Sequence, residues 1–355
     1  MRFPRLSVPA AGAADPGRKP DLPPASPRLT RRVLMFGAAA PWPAAARAQP
    51  EAGQPAAFDH TLRFVVSAAA GASLDILART LAPALGARLG QSVVVENLGG
   101  GGGVIAINQV ARAPADGHTL LVTGDSIVLA EALLPNAGYA VRTSFAPVTQ
   151  AIRASQILVT HPGTGIRTVQ DYVARVRDQP GRLNLGLPGW GGIAHVISEM
   201  LNRQLGGLRV EYIPYRGGAP AALDLLAGQL DAVIITLPAV TEYVRQGRLV
   251  PLAVTTAARD AALPEVPTLA ETVAPGFDVD SWQGLLAPAG TPQPVLDRLH
   301  AEIAAALRSP AVRDRLVDLG YEIVAAPPEV FAARLNAASQ RFGETIRSAG
   351  ITARG

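Results

Sequence analysis

Three short stretches rich in small residues run straight into helical patterns: Ala70-Gly71-Ala72-Ser73, Gly189-Trp190-Gly191-Gly192 and Arg216-Gly217-Gly218. The first turn of a helix carries N–H groups with no helical acceptor and about half a positive charge. Small side chains let an anion reach that backbone. Three such ends facing one cleft can hold a carboxylate without any lysine. Glycine also serves ordinary strand-to-helix turns, and for one loop alone that is the simpler account; three together weaken it.

Other chemistry is less well supported. Gly101, Gly103 and Ala106 fit the G-x-G-x-x-A dinucleotide pattern after a strand, with Asp125 near the place of a ribose-binding acid. Five consecutive glycines meet that pattern easily, and the strand before them is the second of its unit, so an exported nicotinamide-dependent oxidoreductase stands only as an alternative. The histidines, His60, His118, His161, His195 and His300, lack the spacing of a metal pair. His195 follows the second glycine loop closely enough to sit beside a bound anion, or to be a partly buried polar side chain. Gly124-Asp125-Ser126 lacks the second glycine of a nucleophile elbow. Trp190 and Trp282 either line a pocket or pack, and Asp75 complements the dipole of the helix it begins. No catalytic residue, metal or resident cofactor is expected.

The elements that must position these loops alternate. Residues 62–66, 93–95, 119–123, 156–160, 183–185, 210–213, 232–235 and 249–254 read as strands. Between them lie helical patterns. One has Ser73 as its cap and Leu77, Leu81, Leu85 and Leu89 on one face, with Pro83 predicting a kink or early stop. Others are capped by Thr168, follow Gly192, or are ended by Gly228. The chain closes on two helices, one opened by Thr291-Pro292 and one over about 328–349. Such alternation predicts α/β layers with mostly parallel sheets flanked by helices, and the length predicts two domains with a cleft between them.

Composition narrows the class. The chain has 355 residues, 48% of them hydrophobic and 17% charged, which excludes a disordered protein. It has no cysteine, which excludes disulfides and thiolate chemistry. Beyond residue 48 no apolar run reaches membrane-spanning length. The net charge of +4 is misleading: residues 1–48 hold eight basic and two acidic side chains, leaving 24 basic and 26 acidic in the remainder. That remainder, at −2, offers no basic stripe for nucleic acid. Arg31-Arg32, a short apolar stretch and Ala46-Arg47-Ala48 form an export signal of twin-arginine type, with an ordinary secretory signal as the alternative. A tether over 49–57 follows.

Over residues 60–351 the sequence resembles the periplasmic substrate-binding proteins of tripartite tricarboxylate transporters, the Bug family. The resemblance rests on Val93-Val94-Val95-Glu96-Asn97 with the glycines to Gly103, on Asp116-Gly117-His118-Thr119-Leu120, on Pro214-Tyr215-Arg216-Gly217-Gly218, and on the run from Ser281-Trp282-Gln283 to Thr291-Pro292. It implies a two-domain Venus-flytrap fold, with residues 58–155 plus 283–355 as one domain and 156–282 as the other. It also implies a small carboxylate held by two facing loops, residues 67–75 and 186–195. The site residues it implies are Ser67, Ala70, Gly71, Ala72, Ser73 and Asp75 on the first loop, and Gly189, Trp190, Gly191, Gly192 and His195 on the second. Thr123, Ser126, Arg216, Gly217 and Thr236 complete the set. The family's first loop usually carries prolines and an aromatic that are missing here, which widens the site. Trp190 stands where small polar residues are usual, so the ligand is expected to have an aromatic or bulky apolar body. The expected partners are membrane transporter subunits or, alternatively, a sensor kinase, and the protein is expected to act as a monomer.

Overall fold

Ten strands form one mixed sheet, in the order β2-β1-β3-β9-β4-β7-β5-β6, with β10 and β8 also paired to β4. This computed structural model describes residues 58–353, so the expected export signal and tether lie outside the described residues. The strands are β1 (Leu62–Val66), β2 (Val93–Asn97), β3 (Thr119–Gly124), β4 (Phe145–Thr160), β5 (Asn184–Leu187), β6 (Glu211–Pro214), β7 (Ala232–Thr236), β8 (Val250–Val254), β9 (Asp280–Pro288) and β10 (Glu322–Ala326). The helices of the first stretch are α1 (Ser73–Leu89), α2 (Val104–Ala111), α3 (Ser126–Leu133) and α4 (Val141–Ser144). Then come α5 (Val169–Asp178), α6 (Ile193–Gln204), α7 (Gly218–Leu226), α8 (Thr241–Arg245) and α9 (Leu269–Thr272). The chain ends on α10 (Gln293–Arg308), α11 (Pro310–Asp318) and α12 (Pro328–Ser348). None of the described helices is long and apolar enough to cross a membrane.

The outer strands behave as the alternation predicts. β1 runs parallel to β2 and β3, and β5 runs parallel to β6 and β7. β1 is buried on both faces, as a helix-covered parallel strand must be. Leu62, Phe64 and Val66 enter the core under α1 and α10, while Val65 points into the core shared by α2, α3 and α12. The centre differs from expectation: β4 and β9 run antiparallel to each other, and β3 pairs antiparallel with β9. The sheet is therefore mixed rather than mostly parallel.

β4 is the structural spine. Phe145 to Ser155 pair with β9, and Gln156 to Thr160 pair with β7 and β8. Only the last five residues of β4 are expected from periodicity; the first part is interrupted by Pro147 and by register shifts between Pro147 and Thr149 and between Gln150 and Ile152, which break the period-2 signal.

Three local expectations are corrected. The N-cap of α1 is Ala72, with no side-chain cap; Ser73 is the first helical residue. α1 continues through Pro83, which lies on the exposed side, where water can satisfy the carbonyl the ring strands. The buried row of Leu77, Leu81, Leu85 and Leu89 holds the helix across it. α10 is capped by Pro292, while the Thr291 hydroxyl donates to the Pro288 carbonyl (2.8 Å). Thr168 does cap α5, in a full capping box with Asp171.

α12 folds back over this centre. Phe331, fully buried, stands edge-on to Trp282 of β9 at 5.3 Å, and a Cβ on Gly284 would meet its ring at 2.6 Å. Replacing Phe331 by Ala should cost about 3–5 kcal/mol of stability, measured by urea unfolding; a loss below about 1 kcal/mol would show that α12 does not anchor the crossing strands.

Candidate ligand-binding site

A cavity of about 460 Å³ opens where β4 changes partners. Ser73, Ser126, Ile193 and Gly218, the first residues of α1, α3, α6 and α7, all line it. Four helix N-termini therefore converge on one space, one more than the glycine loops alone announce. No lysine or arginine is among the lining residues, and the only ionisable side chain is Asp125. Much of the wall is apolar, from Leu129 and Leu133 on α3 to Ile235 and Trp282, and its polar groups are hydroxyls and amides such as Gln156, Thr236, Ser281 and Gln283. The site offers uncommitted backbone N–H groups and helix dipoles rather than a formal cation. A second cavity, of about 350 Å³, shares Ser73, Gly218, Thr236, Ser281 and Gln283 with the first and adds Arg153 and Tyr321.

Of the expected residues, Ser73, Ser126, Gly189, Trp190, Gly191, Gly192 and Thr236 line the main cavity. The others stand behind or beside it. The Ser67 hydroxyl is buried and donates to Thr123 Oγ1 at 3.0 Å. Asp75, also buried, accepts the Gly71 N–H (2.8 Å) and Arg79 Nε–H (2.8 Å). Burial opposes ionisation of Asp75, yet the Gly71 amide and the Arg79 and Asn97 side chains hold its pKa below the ordinary value. Asp75 thus shapes the loop that Ala70, Gly71 and Ala72 form. His195 Nδ1 accepts the Gly191 N–H (3.1 Å), leaving the ring hydrogen on Nε2, which faces Glu199 at 4.0 Å. It braces the second loop from behind. Arg216 is exposed, and Gly217 takes φ 116° at the N-cap of α7, a conformation that favours glycine.

Trp190 has two duties. It lines the cavity, and its Nε1–H donates to the Thr352 carbonyl at 2.9 Å, with its ring tilted on His195 at 4.4 Å.

Several lining residues escape sequence reasoning. Gln156 sits where β4 changes partners, and its Nε2 donates to Thr236 Oγ1 at 2.9 Å. Ser281 and Gln283 flank Trp282 on β9. Their signal is a polar residue within a strand that is otherwise buried, which alone does not say which face is wet.

The glycines of the dinucleotide pattern have a packing account. Gly101, Gly102 and Gly103 form a 3₁₀ turn with φ 55°, 69° and 90°, and a Cβ on Gly103 would meet the Ser67 carbonyl at 2.8 Å. Asp125 is enclosed and turned to Ser281, not offered to a ribose. Elsewhere Asp59, His60 and His118 come together, but the two imidazoles stack at 3.6 Å with planes 12° apart. Lone pairs lie in the ring planes, so in this arrangement they do not converge on one ion.

Asp125 is the electrostatic exception in the wall. Its Oδ2 lies 2.6 Å from Ser281 Oγ, and its Oδ1 has no hydrogen-bond partner. Burial pushes its pKa up to about 7; Asp280 adds to the rise, while Ser281, Arg334 and the Trp282 backbone oppose it.

The fold and cleft are those of a two-domain periplasmic solute-binding protein. The tripartite tricarboxylate transporter family receptor model, TctC, matches residues 77–351, and the chain belongs to that family, whose members are receptors rather than enzymes. It is similar to protein BugT of Bordetella pertussis, 34% identical over 291 residues, covering 81% of this chain and 89% of that one. Among solved structures it is similar to Rpa4515 of R. palustris with adipate, at 32% identity and TM-score 0.73, covering 83% of this chain and 98% of that one. It is also similar to MatC of Rhodopseudomonas palustris with bound malate, at 30% identity and TM-score 0.71, covering 81% and 99%.

A carboxyl whose folded pKa is raised binds its proton more tightly folded than unfolded. Its contribution to stability is full below about pH 4 and is lost as pH rises to about 7. Asp125→Asn should abolish this, so the stability gap between wild type and variant should move against the wild type by up to about 4 kcal/mol from pH 4 to 7. Chemical unfolding across that range measures it; a constant gap would mean that folding leaves the titration of Asp125 unchanged.

Proposed function

We propose that this chain captures a small carboxylate between two closing domains in the periplasm and delivers it to the membrane subunits of a tripartite tricarboxylate-type transporter. One observation carries the reading: four helix N-termini meet at a mostly apolar cavity with no lysine or arginine in its wall. The adipate and malate held by two relatives support the ligand class. The apolar wall and the Trp190 indole favour a ligand with an aromatic or bulky apolar body and one or two carboxylates. The charge of −2 beyond residue 48 gives no long-range attraction for anions, so capture relies on local dipoles.

In this reading residues 58–155 with 283–353 form one domain and 156–282 the other, and closure expels water from between them. The mature chain begins after Ala48 and works as a monomer.

The test is a thermal-shift screen of residues 49–355, refolded free of ligand, against mono-, di- and tricarboxylates and aromatic acids. A specific ligand at 100 times its Kd should add about 2.7 kcal/mol of stability. If no carboxylate shifts the melt, the reading fails. For an aromatic acid, Trp190→Ala should weaken binding about tenfold, an effect worth about 1.4 kcal/mol. Trp190→Phe, which keeps a ring but loses the bond to Thr352, should bind nearly as the wild type. Unchanged affinity in Trp190→Ala would exclude stacking.

A further inference from the structure

Asp125 is an unusual group for the wall of an anion site. It is only 6% exposed, it lines the cavity, and no arginine or lysine lies within ion-pair distance of it among the described residues. The charged groups that face it are Asp280 at the start of β9 and Arg334 on α12; these two are ion-paired with each other, and Asp280 also faces Arg153 at 3.8 Å. Asp125 has one side-chain hydrogen-bond partner, the Ser281 hydroxyl at 2.6 Å, and the Trp282 backbone also favours its charged form. Ser281 in turn lines both cavities, beside the equally unpartnered Oε1 of Gln283. Beside Asp125, on the wall of the same space, stands one rotatable O–H.

We propose that Asp125 and Ser281 form a proton-set hydroxyl switch in the binding site, so that anion capture takes up a proton. With Asp125 ionised, Ser281 donates its hydrogen to Asp125 Oδ2, and the ligand meets only serine lone pairs and a nearby negative charge. With Asp125 neutral, its own O–H donates to Ser281 Oγ, and the serine hydrogen is released toward the ligand carboxylate. One proton moves from solvent to Asp125 and no covalent bond between heavy atoms changes. The same site then disfavours an anion at high pH and accepts it at low pH. A carboxyl that titrates near neutrality places this change within the range a periplasm meets. Asp125 is a positioning residue that acts through Ser281. The inference rests on the carboxylate reading above.

The experiment is calorimetric titration of residues 49–355 with malate and with adipate at about pH 6.5 and about pH 8.5, where both diacids are fully ionised. Wild type should bind about tenfold more weakly at the higher pH, the size of one hydrogen bond to a charged group. Titrations in buffers of different ionisation enthalpy should show net proton uptake. Asp125→Asn, whose amide donates permanently to Ser281, should bind at high pH as tightly as wild type does at low pH. A merely structural role for Asp125 does not predict that gain. Ser281→Ala should bind weakly at both values, with the pH dependence reduced to the part that the Asp125 charge alone supplies. Affinity independent of pH in wild type, or pH dependence kept in Asp125→Asn, would overturn the switch while leaving the carboxylate reading intact. Failure of both diacids to bind wild type at either pH would overturn the switch, and failure of every acid in the thermal screen as well would overturn the carboxylate reading.

Discussion

Strand β4 hydrogen-bonds to β9 along its first part and to β7 and β8 along its last five residues, and the cavity opens where one set of partners gives way to the other. At that change of partners, Gln156 bonds Thr236 and forms part of the cavity wall. From there the parallel strands on either side send their helices away from the cleft, so the helix starts are left facing it. α1 and α3 follow β1 and β3 on one side; α6 and α7 follow β5 and β6 on the other. An anion site built from backbone needs this convergence, because one helix end carries only partial charge and its effect fades within a turn. The alternative, a lysine or arginine in the wall, would bind anions in any conformation. Backbone dipoles from two sides bind well only when the sides approach, which ties affinity to closure.

The second loop shows how little freedom such a site tolerates. Gly191 takes φ 70°, and a Cβ there would meet Leu133 at 2.6 Å. His195 fastens the Gly191 amide from one turn into α6. On the first loop Asp75 does the same for Gly71. Each loop is thus held by a side chain four residues downstream, on the helix whose N-terminus it opens. In both cases the residue that looks chemically active in the sequence is spent on geometry, and the ligand space is left to hydroxyls, amides and apolar surface.

The loops and helix starts were legible in the sequence because glycine and small residues before an apolar period report a backbone requirement that is local. Thr168 with Asp171, and Gly228 after α7, are of the same kind. The antiparallel centre was not legible. The first part of β4 is broken by bulges, and β9 and β10, though they lie between helices, pair antiparallel with β4, so a template of parallel strand–helix units passes over them. The cavity-lining residues on those strands went with them: Ser281 and Gln283 read as polar interruptions. Asp125 read as a possible ribose ligand because its true partner, Ser281, is 156 residues away. No local pattern reports a pair at that separation.

The bond from Trp190 to the Thr352 carbonyl ties the ligand-side loop to the tail that follows α12, and Arg203 of α6 also reaches Ser348 at that helix's end (3.2 Å). Ile351, between them, is buried. Residues 351 and 352 therefore fasten the loop that carries Trp190. A purification handle or fluorescent reporter fused there pulls on a loop that lines the cavity, whereas the same handle placed ahead of residue 58 is attached before the first strand. In the closing-domain reading proposed above, the carboxyl end is the place where a sensor built from this protein would read closure as a mechanical signal.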